Sequence, residues 1–237
     1  ITYGLGKKAS VTATSIGYGE CTSFNYCLQR SFYSRSKKAI EPFETPLSIR
    51  GLGINRVYSA LAAISCALYY DMDIKNIKES LMEYSENGRN LLIKRYDKFA
   101  LIDNFCIDYS GIKETLETVQ LLDYKNLYLL VSYNLFSKIQ NESVAVGNLL
   151  ELVVSANVKQ IIISDFTDKY NNKLNFELVR VKTKQNNIDL KLVCNLANAV
   201  TLILNNINKK DALLILGGEE FNATKTIVDL LLTEEIS

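Results

Sequence analysis

Polar and small residues stand at the ends of several short apolar segments in the second half of the sequence. Each segment has the length and the leucine-rich or β-branched composition of a buried strand. The terminal residues that could contact a ligand are Asp103, Ser132, Ser164 with Asp165, Asn195, and Gly217 with Gly218. Because the carboxyl ends of parallel strands meet at one edge of a sheet, we expect these residues to line a single ligand-binding edge.

The stretch from Ala100 to Leu116 carries the densest set of candidate groups. Asp103 ends an apolar run, and Asp108 or Ser110 can cap the amphipathic helix that follows. Cys106 lies in the intervening loop, where we expect it to be exposed, although no base that would activate its thiol is evident. Cys66, by contrast, lies within an apolar helical pattern and is expected in the core.

Glu219 and Glu220 follow the last apolar segment directly. Two carboxylates at a strand end could orient an amine, or they could cap the final helix. The residues alone leave both interpretations open.

Histidine is absent from the 237 residues, which excludes Ser-His-Asp and Cys-His catalysis and any histidine-based metal site within this chain. The net charge of +1 predicts neither nucleic-acid nor anionic-membrane binding, and no apolar run is long enough to span a membrane. Five cysteines without regular spacing are typical of reduced thiols in a cytoplasmic protein. The chain begins at Ile1 without an initiator methionine, so we expect a piece of a longer protein.

From residue 89 onward, strand and helix patterns alternate, which predicts a mostly parallel sheet covered by helices on both faces. The predicted strands are 91–95, 99–102, 127–131, 160–164, 190–193 and 212–216. The predicted helices are 110–122, 144–156, 176–184, 196–207 and 223–232.

The first half is different in character. Alternating residues predict strands at 11–16, 22–28 and 43–49, followed by helices at 57–70 and 74–84. The first of these helices is nearly all apolar and is expected to be buried. Pro42 and Pro46 are expected beside an edge strand. The tip between the strands contains Arg30, Arg35, Lys37 and Lys38, which could form an anion patch but are better explained as a solvated hairpin tip.

A Gly-rich turn at residues 51–53 could cradle a phosphate, but two glycines alone are a weak signal, and a plain structural turn is the default interpretation. No Gly-x-Gly-x-x-Gly opens a helix, and no Walker A motif is present. A dinucleotide-dependent dehydrogenase is therefore not expected.

Motifs in residues 51–220 resemble, in order and spacing, those of the Mur ligase family, the ATP-dependent amide ligases of peptidoglycan synthesis. Gly53-Ile-Asn-Arg-Val-Tyr-Ser-Ala-Leu-Ala-Ala63 is similar to the family's Gly-x-His-Asn-x-x-Asn-x-Leu-Ala-Ala. Gly88-Arg89 matches its Gly-Arg before the C-terminal domain. Asp103-Asn-Phe-Cys-Ile-Asp-Tyr-Ser-Gly-Ile112 resembles Asp-Asp-Tyr-Ala-His-Asn-Pro-x-x-Leu, and Leu214-Ile-Leu-Gly-Gly-Glu-Glu220 resembles an apolar strand with Gly-Lys-Gly-x-Glu.

The resemblance implies an α/β architecture. Residues 1–87 would be the end of a central ATPase domain, and residues 88–237 a Rossmann-like C-terminal domain. It implies ATP and Mg²⁺ as cofactors, with the phosphate-binding loop and the metal ligands upstream of Ile1, so the piece alone would not turn over. The implied partners are a UDP-muramyl-type substrate and an amine or amino acid.

The resemblance also implies roles for individual residues. Those implied on the nucleotide side are Asn55, Arg56, Arg89 near the phosphates and Asp103 near the ribose. Those implied on the side of the incoming amine are Ser132, Asp165, Glu219 and Glu220. Without the resemblance, Arg89 would simply pair with a surface carboxylate and Asp103 would cap a turn.

The sequence also departs from the family pattern. Asn55-Arg56 replaces His-Asn, Ser59 replaces the next Asn, and Ile107 replaces the loop His. Asp165-Phe-Thr-Asp168 lacks the Arg of the family's Asp-Asn-Pro-Arg, a loss for which Lys138 or Lys169 could compensate.

Three hypotheses remain. The leading one is a ligase related to the UDP-N-acetylmuramyl tripeptide synthetases. The alternative is a catalytically degenerate homologue that acts as a binding or partner subunit, and the third is a Rossmann-like domain without a ligand.

Overall fold

The computed structural model describes residues 1–84, 91–139, 143–164 and 177–234. The chain divides into two compact units, residues 1–87 and residues 88–237. No helix in the described ranges is long and apolar enough to cross a membrane.

The first unit is built on a three-stranded antiparallel sheet in the order β1-β2-β5. Its strands are β1 (Val11–Tyr18), β2 (Cys21–Leu28) and β5 (Phe43–Arg50), and a small hairpin of β3 (Phe32–Tyr33) and β4 (Ala39–Ile40) lies between the last two. Pro46 is in β5, an edge strand of the sheet, which is where a residue without an N–H is tolerated.

Two helices cover one face of this sheet, α1 (Ile54–Tyr69) and α2 (Ile74–Glu83). Side chains such as Phe24, Tyr26 and Ile64 form the core between α1 and the sheet. The opposite side of α1 is exposed and includes Tyr58 and Cys66. The expectations of a buried helix and of a core Cys66 were therefore wrong: only one face of α1 packs against the sheet.

The basic hairpin tip has exposed lysine and arginine side chains, as predicted, but its backbone is anchored. The Ser36 hydroxyl donates to Asp71 Oδ1 at 2.7 Å, and the Arg35 N–H donates to the Tyr69 carbonyl at 2.7 Å. Hydrogen bonds from the hydroxyls of Ser34 and Ser36 lower the pKa of Asp71. The tip is thus fastened to the end of α1.

The second unit is a six-stranded sheet covered by helices. Its elements are β6 (Leu92–Arg95), β7 (Phe99–Phe105), α3 (Tyr109–Val119), β8 (Leu127–Ser132), α4 (Tyr133–Ile139), α5 (Ser143–Ser155), β9 (Val158–Ser164), α6 (Glu177–Gln185), β10 (Asp189–Val193), α7 (Leu196–Leu204), β11 (Asp211–Gly217) and α8 (Thr224–Glu234). The strand order is β10-β9-β8-β11-β7-β6, and only β6 runs antiparallel to its neighbour. The predicted mostly parallel sheet with helical cover is confirmed.

The two faces of this sheet bury different sets of side chains. On one face, residues such as Tyr128, Leu130 and Ile162 pack against α7 and α8. On the other face, Leu129, Val131 and Ile161 share a small apolar cavity of about 30 Å³ with side chains of α3, α4, α5 and α6. Both faces are covered, so the ligand-accessible part of a sheet of this kind is its carboxyl edge.

The β6–β7 hairpin is fastened to α8 by a carboxylate that accepts two hydrogen bonds. Asp229 Oδ1 accepts from Lys94 Nζ and from the Tyr96 hydroxyl, both at 2.6 Å. The hydrogen bond from Lys94 lowers the pKa of Asp229. Burial is the larger cause, and the hydrogen bond to Asp229 the second, that raises the pKa of Tyr96 to about 12. The antiparallel edge strand is thereby held in place.

Two predicted boundaries need correction. Asp103 does not end its strand: β7 continues to Phe105 because Asp103 pairs with Ile215 of β11 and with Leu92 of β6. The helix α4, which begins directly after Ser132, was not predicted, because its seven residues are too few to show a helical period.

Gly217 and Gly147 provide a matched pair of substitutions that tests the packing at the end of β11. A Cβ on Gly217 would lie 2.8 Å from Ser132 Cβ and 2.9 Å from Phe221 Cδ2, whereas a Cβ on Gly147 in α5 meets nothing within 4 Å. We expect Gly217→Ala to lower the free energy of unfolding by about 1–3 kcal/mol through overpacking. We expect Gly147→Ala to raise it by about 0.5–1 kcal/mol, since alanine favours the helix. Urea denaturation of both variants measures the two values, and an unchanged Gly217→Ala stability would contradict the close packing.

Candidate functional site

The carboxyl ends of the parallel strands form a row at one edge of the second unit. Ser132 of β8 is in register with Ser164 of β9, and Ser164 is in register with Val193 of β10. On the other side of β8, Gly217 ends β11 close to Ser132. We call Gly217, Ser132, Ser164 and Val193 the carboxyl-end row. The expectation of a shared edge is confirmed for Ser132, Ser164 and Gly217, Asn195 follows β10 directly after Cys194, and Asp165 lies outside the described residues.

Asp103 lies one layer deeper than this row. It pairs with Ile215, two residues before Gly217, and its side chain is 8% exposed. Since side chains alternate along a strand, Asp103 shares the face of Phe99 and Leu101, which is the face under α7 and α8. The structure thus places a nearly buried carboxylate just below the edge.

Ser132 and Gly217 approach so closely that no side chain fits on Gly217. Ser132 is fully buried, and its Oγ accepts a hydrogen bond from the Leu135 N–H at 3.2 Å. This bond satisfies one of the free amides at the start of α4. Ser132 therefore has a structural role at this position, in addition to the amine-side role that the sequence predicts.

The Glu220 carboxylate accepts a hydrogen bond within its own turn. The Gly218 N–H donates to Glu220 Oε1 at 3.1 Å, within the short 3-10 helix Glu219–Phe221. This bond lies in the turn before the final helix, so it neither shows Glu220 capping that helix nor tests the role toward an amine, and the Glu219 side chain is exposed.

The loop between β7 and α3 is ordered by polar contacts. Asp108 Oδ1 accepts from the Gly111 N–H at 2.9 Å and so caps α3, as predicted. Asn104 Nδ2 donates to Thr115 Oγ1 at 2.6 Å and to Cys106 Sγ at 3.3 Å. Cys106 is only 2% exposed, so the expectation of an exposed thiol was wrong: the loop turns Cys106 inward against α3.

In the first unit, Asn55 and Arg56 occupy the first turn of α1, which follows Gly53 with φ at 114°. Asn55 is exposed, and Arg56 is half-buried. Arg56 and Ser59 line a groove of about 530 Å³ with an apolar floor that includes Ile64 and Leu81. An arginine and a hydroxyl above an apolar floor are suited to a flat ring with polar edges.

The remaining predicted residues, Arg89 and Asp165, lie outside the described residues, as do Lys169 and Asp168. Within the ranges that the structure describes, no three Asp, Glu or Cys side chains are grouped as a metal site. The described residues therefore do not form a Mg²⁺ site by themselves.

Ser164 is the residue whose importance the sequence analysis underestimated. It is completely buried, and its Oγ has no hydrogen-bond partner among the described residues. A buried hydroxyl without a partner costs about 1–3 kcal/mol, so such groups are uncommon without a reason. The signal in the sequence was only a serine at the end of an apolar run.

No family model matches the chain. A search of curated proteins finds a UDP-N-acetylmuramate–L-alanine ligase from Brachyspira hyodysenteriae, 35% identical over 92 residues, which are 38% of this chain and 19% of the relative. A protein of the same name from Clostridium kluyveri is 26% identical over 154 residues, or 62% of this chain and 33% of the relative.

Solved structures share the fold over nearly the whole chain. The UDP-N-acetylmuramate-alanine ligase of Thermotoga maritima matches with a TM-score of 0.69 and 14% identity, over 99% of this chain and 48% of that one. The MurF ligase of Thermotoga maritima in complex with ADP matches with a TM-score of 0.67 and 7% identity, over 98% and 49%. The chain therefore spans about half the length of these structures, at an identity that shows the fold alone.

The exposures of the cysteines predict a specific alkylation pattern. Cys66 and Cys194 are exposed, whereas Cys27 and Cys106 are buried. Burial also raises the pKa of Cys27, which lowers the fraction of reactive thiolate. Under native conditions we expect iodoacetamide to modify Cys66 and Cys194 first, with peptide mapping by mass spectrometry as the measurement.

Alkylation in urea, where all five thiols should react, is the control. Fast native modification of Cys106 would contradict the inward-turned loop and would restore the sequence-based expectation.

Proposed function

We propose that this chain belongs to the Mur ligase family and is part of an ATP-dependent carbon–nitrogen ligase that joins an amino acid to a UDP-muramyl-type carboxylate. The observation that carries the proposal is the carboxyl-end row of hydroxyl and glycine positions, above the nearly buried Asp103, in a chain with these relatives. A polar strand-end edge is where sheets of this class bind their ligands.

In the proposed reaction, the substrate carboxylate accepts the γ-phosphoryl group of ATP, which gives an acyl phosphate and ADP. The amine then attacks the acyl carbon, the new C–N bond forms, the C–O bond to phosphate breaks, and the amine loses a proton. Phosphate leaves as the second product. Holding the amine in line with the acyl phosphate is the positioning contribution that the carboxyl edge supplies.

We assign the proposed roles by unit. On the nucleotide side, Asn55 and Arg56 at the start of α1 contact the base, Arg89 the phosphates, and Asp103 the ribose. Two hydroxyl oxygens of a ribose are suitable donors to a carboxylate such as Asp103.

On the side of the amine, the proposed residues are Ser132, Asp165, Glu219 and Glu220. Residues 1–87 are proposed as the end of the central domain and residues 88–237 as the C-terminal domain, in a cytoplasmic protein. ATP and Mg²⁺ are the proposed cofactors, and the metal ligands are proposed to lie outside this chain.

We propose L-alanine as the amine, in preference to the amine of a tripeptide synthetase. The curated relatives are named for ligating UDP-N-acetylmuramate with L-alanine.

The second candidate is a degenerate homologue that acts as a binding or partner subunit. It is favoured by Arg56, Ser59 and Ile107, which stand where the family has other residues. Ile107 is 53% exposed and forms no part of the core, so packing does not require an apolar residue there.

The test is amine-dependent release of phosphate by the protein in its full natural length. We expect release with ATP, UDP-N-acetylmuramate and L-alanine, and little with a UDP-muramyl dipeptide and lysine or diaminopimelate. Activity with the dipeptide instead would favour the tripeptide-synthetase hypothesis. No release with any amine would contradict the ligase and support the partner subunit.

In the same assay, Asp103→Asn tests the proposed contact with the ribose. We expect the KM for ATP to rise about tenfold, the size of one hydrogen bond to a charged group, with the KM for L-alanine unchanged. Asp123→Asn is the matched control, because Asp123 is exposed between α3 and β8, away from the carboxyl edge.

A further inference from the structure

The side chain of Asn104 joins three separate pieces of the second unit. Its Oδ1 accepts a hydrogen bond from the Leu91 N–H at 3.0 Å, directly before β6. Its Nδ2 donates to Thr115 Oγ1 of α3 at 2.6 Å and to Cys106 Sγ, in the loop after β7, at 3.3 Å. Both ends of the amide are therefore engaged, and each end holds a different element.

The bond between Asn104 and Thr115 requires a donor at position 104. Thr115 Oγ1 donates its single proton to the Gly111 carbonyl at 2.6 Å, so it accepts from Asn104. An ionised aspartate, which stands second in the family motif that residues 103–112 resemble, would offer only acceptors here. Asparagine thus permits a chain of hydrogen bonds from the Leu91 N–H through Asn104 and Thr115 to the Gly111 carbonyl.

This chain of hydrogen bonds is closed off from water. Thr115 and Cys106 are each 2% exposed. A Cβ on Gly111 would lie 3.2 Å from Cys106 Sγ, so the sulfur already fills the space beside the first turn of α3. A buried polar group that loses its partner is costly, because no water replaces the lost bond. The network therefore holds the end of β7 in one position against α3.

The network acts where the sheet stops supporting β7 on one side. On the β11 side, backbone pairing continues to Phe105. On the β6 side, the last pair is Leu92 with Asp103. The bond from the Leu91 N–H to Asn104 Oδ1 extends that side by one residue, with a side chain in place of a backbone carbonyl. Leu91 has a φ of 47°, which is uncommon for a leucine and persists where surrounding contacts hold the backbone.

Asp103 and Asn104 are neighbours on β7 and point to opposite faces of the sheet. Asp103 shares the face that α7 and α8 cover, whereas Asn104 is held by α3 on the other face. The two residues are joined by one peptide group, which is planar and stiff. Fixing the backbone at Asn104 therefore also fixes the direction in which the Asp103 side chain leaves the strand.

We propose that Asn104 is a positioning residue for the Asp103 carboxylate, an inference that rests on the proposed ligase function, in which Asp103 contacts the ribose of ATP. Asn104 does not touch the nucleotide. It holds the end of β7 between Leu91 and Thr115, so that the Asp103 carboxylate is already ordered when the ribose arrives. Preorganisation of this kind lowers the free-energy cost of binding.

Thr115→Val breaks the network without changing Asp103. Valine has nearly the shape of threonine but no hydroxyl, so Asn104 Nδ2 loses an acceptor. We expect the Kd of the full-length protein for ATP, measured by isothermal titration calorimetry, to rise about threefold, the size of a modest coupling within one network. Thr115→Ser, which restores the hydroxyl, should bind ATP as the unsubstituted protein does.

Thr118→Val is the matched control in the same helix. Thr118 is also buried, and its hydroxyl donates to the Glu114 carbonyl at 2.9 Å, the same type of bond that Thr115 makes to Gly111, but without Asn104. Urea denaturation of both valine variants separates a general loss of stability from a loss of binding. Only Thr115→Val should weaken ATP binding. Equal changes of the Kd in the two variants, or no change in Thr115→Val, would overturn the assignment.

A double-mutant cycle tests whether the network acts through Asp103. In Asp103→Asn the positioned carboxylate is gone, so the addition of Thr115→Val should leave the Kd for ATP where Asp103→Asn alone puts it. The same rise in both backgrounds would show that Thr115 acts independently of Asp103, which is incompatible with a positioning role.

The outcome for the ligase function is read separately. If the full-length protein releases phosphate with an amine but Thr115→Val binds ATP normally, the positioning role fails and the ligase stands. If the protein binds ATP but releases no phosphate with any amine, the ligase fails, and the Kd values still decide the role of Asn104. No binding of ATP by the unsubstituted protein would overturn both.

Discussion

The close approach of Gly217 to Ser132 and Phe221 is the contact on which the carboxyl edge depends. A parallel sheet brings the ends of β8, β9 and β11 to one edge, but only a residue without a side chain lets β11 end against Ser132. Ser132 in turn begins α4, and Phe221 belongs to the core under α7 and α8. The positions of the elements around the edge are thus coupled through one glycine.

The functional groups at this edge have low chemical reactivity. The groups at and just after its strand ends are the buried hydroxyls of Ser132 and Ser164, the exposed carboxylate of Glu219 and, one layer below, the nearly buried carboxylate of Asp103. Such groups position reactants but do not activate them, as the proposed ligase would require of the part that holds its amine, because ATP would supply the activation. The absence of histidine from the sequence is compatible with a site that positions an amine without activating it.

Much of the second unit could be predicted from the sequence, because its buried strands are short, apolar runs separated by helical patterns. The predictions failed where the outcome depended on tertiary contacts. Asp103 stays in β7 because partners on both sides extend the ladder beyond the apolar run. Cys106 turns inward because Asn104 and Thr115 order the loop.

Other features left no sequence signal. The exposed face of α1 could not be distinguished from its buried face, since both consist of small and apolar residues. For the same reason, Cys66 was placed in the core. The unsatisfied hydroxyl of Ser164 depends on which side chains reach it, a property that no periodicity encodes.

We propose that the carboxyl edge of the second sheet holds the amine substrate. A crystal structure of the full-length protein with UDP-N-acetylmuramate, L-alanine and a non-hydrolysable ATP analogue tests it most directly. We expect density for the amino acid at the carboxyl ends of β8, β9 and β11. Density for L-alanine at the amino ends of these strands, or in the groove beside Arg56, would contradict it.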